Sequence, residues 1–200
     1  LSMSLSDVFW LMCGLIKSGF SINGFYHDLR QVIVYQTDGS VGFYGNGGRF
    51  GTAGIESTYR FVAHGLNLNV NYAFHAPMGS KDNIYRMPDK NGYFVGFAPH
   101  RANVNASLKV VEDVFFNFTA RVYGQRYGIV ADGFVEKMKP LTMTDFNLRM
   151  KNLFTHGLNA TIGVDNVFDY KFVYYQGYDG GHAGLPGFGR TLVLKVDYNF

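Results

Sequence analysis

The amino-acid sequence predicts an all-β fold made of antiparallel up-and-down transmembrane β-barrel strands. Three observations lead there. Apolar residues recur at every second position through many segments instead of gathering into runs. Most of these segments keep the pattern for about the 9 to 11 residues that a strand needs to cross hydrocarbon, beyond the roughly five or six of an ordinary soluble strand. The connections between them alternate between short and long, which is the asymmetry of outer-membrane barrels with tight periplasmic turns and larger external loops.

Taken in order, residues 8–16 form the longest apolar run, too short for the roughly 18 residues of a transmembrane helix. No basic segment precedes it as in a secretory signal, so any export signal is expected outside this chain. A tight turn is expected after it at 17–19. Less regular strands are expected at 19–35 and 51–62. Leu66, Leu68, Val70, Tyr72 and Phe74 then alternate with Asn67, Asn69, Asn71 and His75, and Val104, Ala106, Leu108 and Val110 alternate with Asn103, Asn105, Ser107 and Lys109. Val114, Phe116, Phe118, Ala120 and Val122 alternate with Asn117, Thr119 and Arg121. Phe146, Leu148 and Met150 alternate with Asp145, Asn147, Arg149 and Lys151. Leu158, Ala160, Ile162 and Val164 alternate with Asn159, Thr161 and Asp165, and Leu192, Leu194, Val196, Tyr198 and Phe200 with Thr191, Lys195, Asp197 and Asn199. Tight turns are expected at 17–19, 63–65, 111–113 and 155–157, and long connections at 36–48, 76–92, 129–140 and 171–189. The polar rows suit a wet lumen and the apolar rows suit acyl chains. About nine strands result, whereas single-chain bacterial barrels have an even number. Either residues 8–16 are not a strand, or the barrel is larger than this chain.

Composition removes several function classes. The single cysteine, Cys13, allows neither an internal disulfide nor a cysteine metal cluster. The net charge of +3 comes from dispersed Lys and Arg with no basic block, so no nucleic-acid partner is expected. His75, His100 and His182 lack a dense ligand spacing and read as isolated surface histidines, so neither a metal site nor a cofactor is expected. The glycines from Gly39 to Gly48 are not followed by a helix that would hold a phosphate, and read as a flexible loop. Neither His27 with Asp28 nor Asp179 with His182 accompanies a nucleophile motif, so no catalytic residues are assigned.

The chain from about Gly19 onward, most clearly 143–200, resembles the TonB-dependent outer-membrane receptors. Val164-Asp165-Asn166-Val167-Phe168-Asp169 is similar to their N-L-F-D signature, with Val in place of Leu, and Pro186-Gly187-Phe188-Gly189-Arg190 is similar to the P-G-R before their last strand. Asn23-Gly24-Phe25-Tyr26-His27-Asp28 and Gly54-Ile55-Glu56 match more loosely. The resemblance implies a location in the bacterial outer membrane and the C-terminal part of a barrel of about 22 strands. It also implies uptake of a ferric siderophore or similar scarce nutrient. TonB and its inner-membrane energising complex would act only through a plug domain for which this chain has no room.

Two residue sets follow. The Tyr- and Gly-rich connection 171–189 carries Tyr174, Tyr175, Tyr178, Asp179 and His182, candidates for contact with an iron complex or other aromatic-friendly ligand. Leu194, Val196, Tyr198 and Phe200 form an apolar row ending in an aromatic residue, which resembles the signal read by the barrel-assembly machinery, while lipid surrounds the strand. The rival reading is a self-contained barrel of about eight strands with a structural or adhesion role. It requires the 19–35 segment to pair with 191–200.

Overall fold

The computed structural model describes residues 2–13, 16–38, 41–79, 86–87, 93–129, 135–174 and 184–200. In chain order the strands begin with β1 (Ser2–Cys13), β2 (Ile16–Arg30), β3 (Ile33–Asp38), β4 (Val41–Asn46), β5 (Arg49–Ala63) and β6 (Leu66–Gly79). They continue with β7 (Arg86–Met87), β8 (Tyr93–Phe94), β9 (His100–Val111), β10 (Val114–Tyr123), β11 (Arg126–Ile129) and β12 (Val135–Met138). The last are β13 (Leu141–Met150), β14 (Leu158–Asp165), β15 (Val173–Tyr174), β16 (Leu185–Pro186) and β17 (Thr191–Tyr198). Nine long strands make one antiparallel sheet in the order β1-β2-β5-β6-β9-β10-β13-β14-β17, so each pairs with the next long strand of the chain. The remaining strands form four small hairpins, β3-β4, β7-β8, β11-β12 and β15-β16, all at the same end of the meander.

Local chemistry sets the opposite, short-turn end. Ala63 pairs with Leu66 across His64 and Gly65, both at positive φ (45° and 83°), the geometry of a two-residue turn whose twist matches the strands it joins. Between β9 and β10, Asp113 takes φ 61° and the ladder slips by one residue after Val114, so that Phe115 faces Lys109. An extra residue on one strand beside a left-handed turn residue is how a bulge tightens such a hairpin.

Register then sorts the side chains, because the period of a strand is two. One face carries Phe20 opposite Tyr59, Leu68 opposite Ala106, Val70 opposite Val104, Phe118 opposite Phe146, and Ile162 opposite Leu194. The other carries a transverse row of Asn69, Asn105, Thr119 and Asp145, with Asn117 opposite Asn147 and Asn159 opposite Asp197 beside it. Among the described residues, nothing covers the apolar face. Leu192, Leu194 and Val196 are 79%, 72% and 63% exposed, and Leu141 is the one large side chain that is fully buried among the described residues. A sheet whose apolar side is open and whose polar side is internally bonded is the reverse of a soluble domain, which packs its apolar face inward.

The structure sharpens several sequence expectations and corrects others. Residues 8–16 are not one strand, since they span the end of β1 and the start of β2, and residues 17–19 lie inside β2 rather than in a turn. The 19–35 segment is two elements, because the chain bends at Gln31 (φ 56°), where the β2-β5 ladder ends and before β3 pairs with β4. The connections 36–48 and 129–140 contain paired hairpins. Met150 still faces Ala160, but the connection it leads into begins at Lys151, ahead of the expected turn at 155–157. β2 is flanked by β1 and β5, and β17 by β14, so the pairing that a self-contained small barrel requires is not formed among the described residues.

Candidate functional site

The polar face is held together by side chains projecting from successive strands. Thr58 donates to Asn71 (3.0 Å) and Asn71 to Asn69 (2.6 Å). Thr119 donates to Asn105 (3.2 Å), and Asn117 to Asn147 (2.8 Å). The Oδ1 atoms of Asn23 and Asn103 and the Nε of Arg121 are buried without a hydrogen-bond partner. Unpaired polar atoms of this kind disfavour a dry face and match one that meets water or ligand.

Toward the long-loop end, Arg121 donates through Nη2 to Oδ2 of Asp145, and the other oxygen of Asp145 accepts the Asn166 backbone N–H at 2.9 Å. Asn166 is buried and left-handed (φ 49°), a conformation that Asn tolerates better than most residues. Its amide donates to the carbonyls of Tyr170 (3.0 Å) and Phe188 (3.1 Å), while its Oδ1 accepts the Tyr170 N–H at 2.9 Å. Asp169, also left-handed (φ 52°), accepts from Lys171 Nζ and the Arg190 N–H, both at 2.9 Å. Those two donors hold the Asp169 carboxyl below the usual carboxylate range. The Asn-Val-Phe-Asp stretch is thus a clamp that ties β13, the end of β14 and the start of β17 together.

Two of the concavities at this end, among the described residues, are lined by titratable side chains from several strands. One, of about 380 Å³, lies on the polar face among Asn23, His27, Thr52, Glu56 and Phe97, with the Phe25 ring 5.2 Å from His27 and 5.0 Å from His75. The other, of about 300 Å³, lies between the β11-β12 hairpin and the segment after the clamp.

Two of the three histidines singled out in the sequence are placed among aromatic side chains. His75 packs between Phe25 and Phe97, and His100 lies on the apolar face with Nδ1 2.8 Å from the Tyr72 hydroxyl. Of the ligand candidates, Tyr174 is placed at the end of β15, half exposed, with Phe172 edge-on at 5.1 Å. Tyr175, Tyr178, Asp179 and His182 lie outside the described residues. Leu194, Val196, Tyr198 and Phe200 form one outward row, with Tyr198 and Phe200 edge to face at 5.1 Å. Sequence reading missed Arg126 and the Arg121–Asp145 pair. Parity puts Arg121 and Asp145 in polar rows, but only the pairing of β10 with β13 brings the two together.

The fold is an antiparallel up-and-down barrel segment, and solved structures share it over the whole of this chain. The FrpB iron transporter from Neisseria meningitidis (F3-3 variant) matches with a TM-score of 0.68 at 20% identity, covering 100% of this chain and 31% of its own. The copper transporter OprC matches with a TM-score of 0.71 at 17% identity, again covering 100% and 31%. The ferric-catecholate import receptor Fiu from Escherichia coli K12 gives 0.69 and 16%, covering 100% and 28%. The resemblance to TonB-dependent outer-membrane receptors seen in the sequence therefore holds at the level of the fold, with a chain that spans less than a third of these structures. The compared proteins are transporters and an import receptor, not enzymes. No protein-family model matches the chain, and no curated protein matches it in sequence.

Proposed function

We propose that the chain is the C-terminal portion of the barrel of a TonB-dependent receptor in a bacterial outer membrane, and that the receptor takes up a ferric siderophore or a similar scarce nutrient. One observation carries this reading: a nine-stranded meander with its apolar face open, its polar face cross-bonded and its hairpins gathered at one end. In a bilayer that arrangement puts Leu, Val and Phe against acyl chains and the Asn and Thr rows in a wet interior. The short turns then face the periplasm and the hairpins face outside. Energy from TonB would arrive through a plug domain elsewhere in the receptor. The likeness in fold to iron and copper transporters supports a transport role, and the Tyr174 to His182 stretch stands as the ligand-contact candidate.

The test is growth. A strain lacking the receptor, supplied with iron only as a ferric siderophore, should regain growth when the gene is restored and lose it again when TonB is removed. Uptake that persists without TonB, or no siderophore that restores growth, overturns the reading.

A further inference from the structure

We propose that the concavity between the β11-β12 hairpin and residues 170–173 binds a small, multiply charged anion through carboxylate- or phosphate-type oxygens. Arg126 carries the argument. It is 9% exposed, lines the concavity, and its Nε is buried with no hydrogen-bond partner. A guanidinium does not give up its proton under ordinary conditions, so burial leaves a charge without its counterpart. Such a charge costs stability until an oppositely charged group meets it. Burial pushes the Arg126 pKa down, the direction expected of an uncompensated cation.

The surroundings point the same way. Lys137 and Lys139 line the same concavity with Arg126, against one carboxylate on its wall, Glu136, while Lys171 at its edge is paired with Asp169. The floor is fixed in place. Tyr170 is held by the Asn166 clamp and donates its hydroxyl to the Pro140 carbonyl at 3.1 Å, while Phe172 packs across the face of Gly187, where any side chain would strike its ring. A volume of about 300 Å³ matches the lower end of small-ligand sites. A guanidinium presented beside two lysines selects multiply charged oxygen anions over neutral ligands. The site deepens the transport reading and rests on it for the ligand's approach from outside.

Calorimetric titration of the intact protein in detergent tests the site, with citrate and inorganic pyrophosphate as probes and glycerol as the uncharged control. At least one anion should bind and glycerol should not. Binding of citrate alone assigns carboxylates, and binding of pyrophosphate alone assigns phosphates. Affinity should fall at least about tenfold in R126Q, the scale of a lost charge-assisted hydrogen bond, and should weaken as salt rises. Because Arg126 is buried, the K137Q/K139Q double variant, altered only on exposed side chains, should also lose several-fold affinity with an unchanged folded fraction. Absence of binding by both anions, or equal binding by wild type and both variants, overturns the site. Import of a neutral ferric chelate without anion binding removes this site and leaves the transport reading. Anion binding without import of any chelate does the reverse.

Discussion

Asn166 shows what one residue of a short signature does physically. Its side chain satisfies the Tyr170 N–H and two carbonyls at once, from a left-handed backbone position. Asn166→Ala leaves those groups unpaired in a buried place and should cost roughly 3 kcal/mol, read as a lower denaturation midpoint of the protein in detergent. Its neighbour Asp169 gives a pH prediction. Lys171 and the Arg190 N–H lower its pKa in the folded state, so its contribution is fully present above the unfolded value of about 3.9. That contribution is lost as pH falls through the lower folded value. Asp169→Asn should therefore flatten the acid limb of the stability profile below about pH 4 and leave its slope near neutrality unchanged. An unaltered acid limb would remove Asp169 from the clamp. The sequence displayed this stretch as a recognisable string, but not its partners, because Asp145 and Phe188 reach Asn166 only through strand pairing and a loop return.

At the scale of the strand, β17 was the most legible element, since its alternation alone assigns every side chain to a face. Val196 faces outward opposite Ala160, while Asp197 accepts from Asn159 at 2.9 Å and lies 3.3 Å from Lys195. Val196→Arg should impair folding into lipid vesicles by about 2 to 4 kcal/mol if it lies near the bilayer midplane. Asp197→Asn, which keeps an acceptor for Asn159, should be close to neutral. Equal losses would mean that this strand does not meet lipid. Phe200 separates two roles for the apolar row. As a girdle residue it contributes only its burial. As part of an assembly signal, its deletion from the full receptor should sharply lower outer-membrane insertion in cells while refolding in detergent stays nearly normal. The strands around 19–62 were harder to read, because Gly24, Gly51 and Gly54 break the alternation and the kink at Gln31 leaves no pattern in composition.

Across the whole molecule, the alternation of short and long connections was visible before any coordinate, whereas the pockets were not. A concavity depends on which hairpin folds over which strand, and His75 and Arg126 acquire their surroundings only there. The orientation gives a direct test: protease added to intact cells should cut the receptor within 171–189 and spare 155–157. Cutting confined to the short turns would invert the topology. The separate pairing of each hairpin has a wider consequence. The β3-β4 unit closes on its own ladder from Ile33–Asn46 to Asp38–Val41, while Arg30 and Arg49 already end the ladder of the strands beneath it. Among the described residues, only the Val32 backbone hydrogen bonds with Gly47 and Gly48 join the two ladders at this point, so the hairpin meets the wall through a narrow neck, and a change within it is expected to leave the register of the wall in place. Replacing residues 31–48 with Asn-Gly should leave the folded, heat-modifiable form of the protein intact on a gel. With the proposed orientation, a lineage built this way would be able to revise its outer surface while keeping the same wall, one attachment at a time.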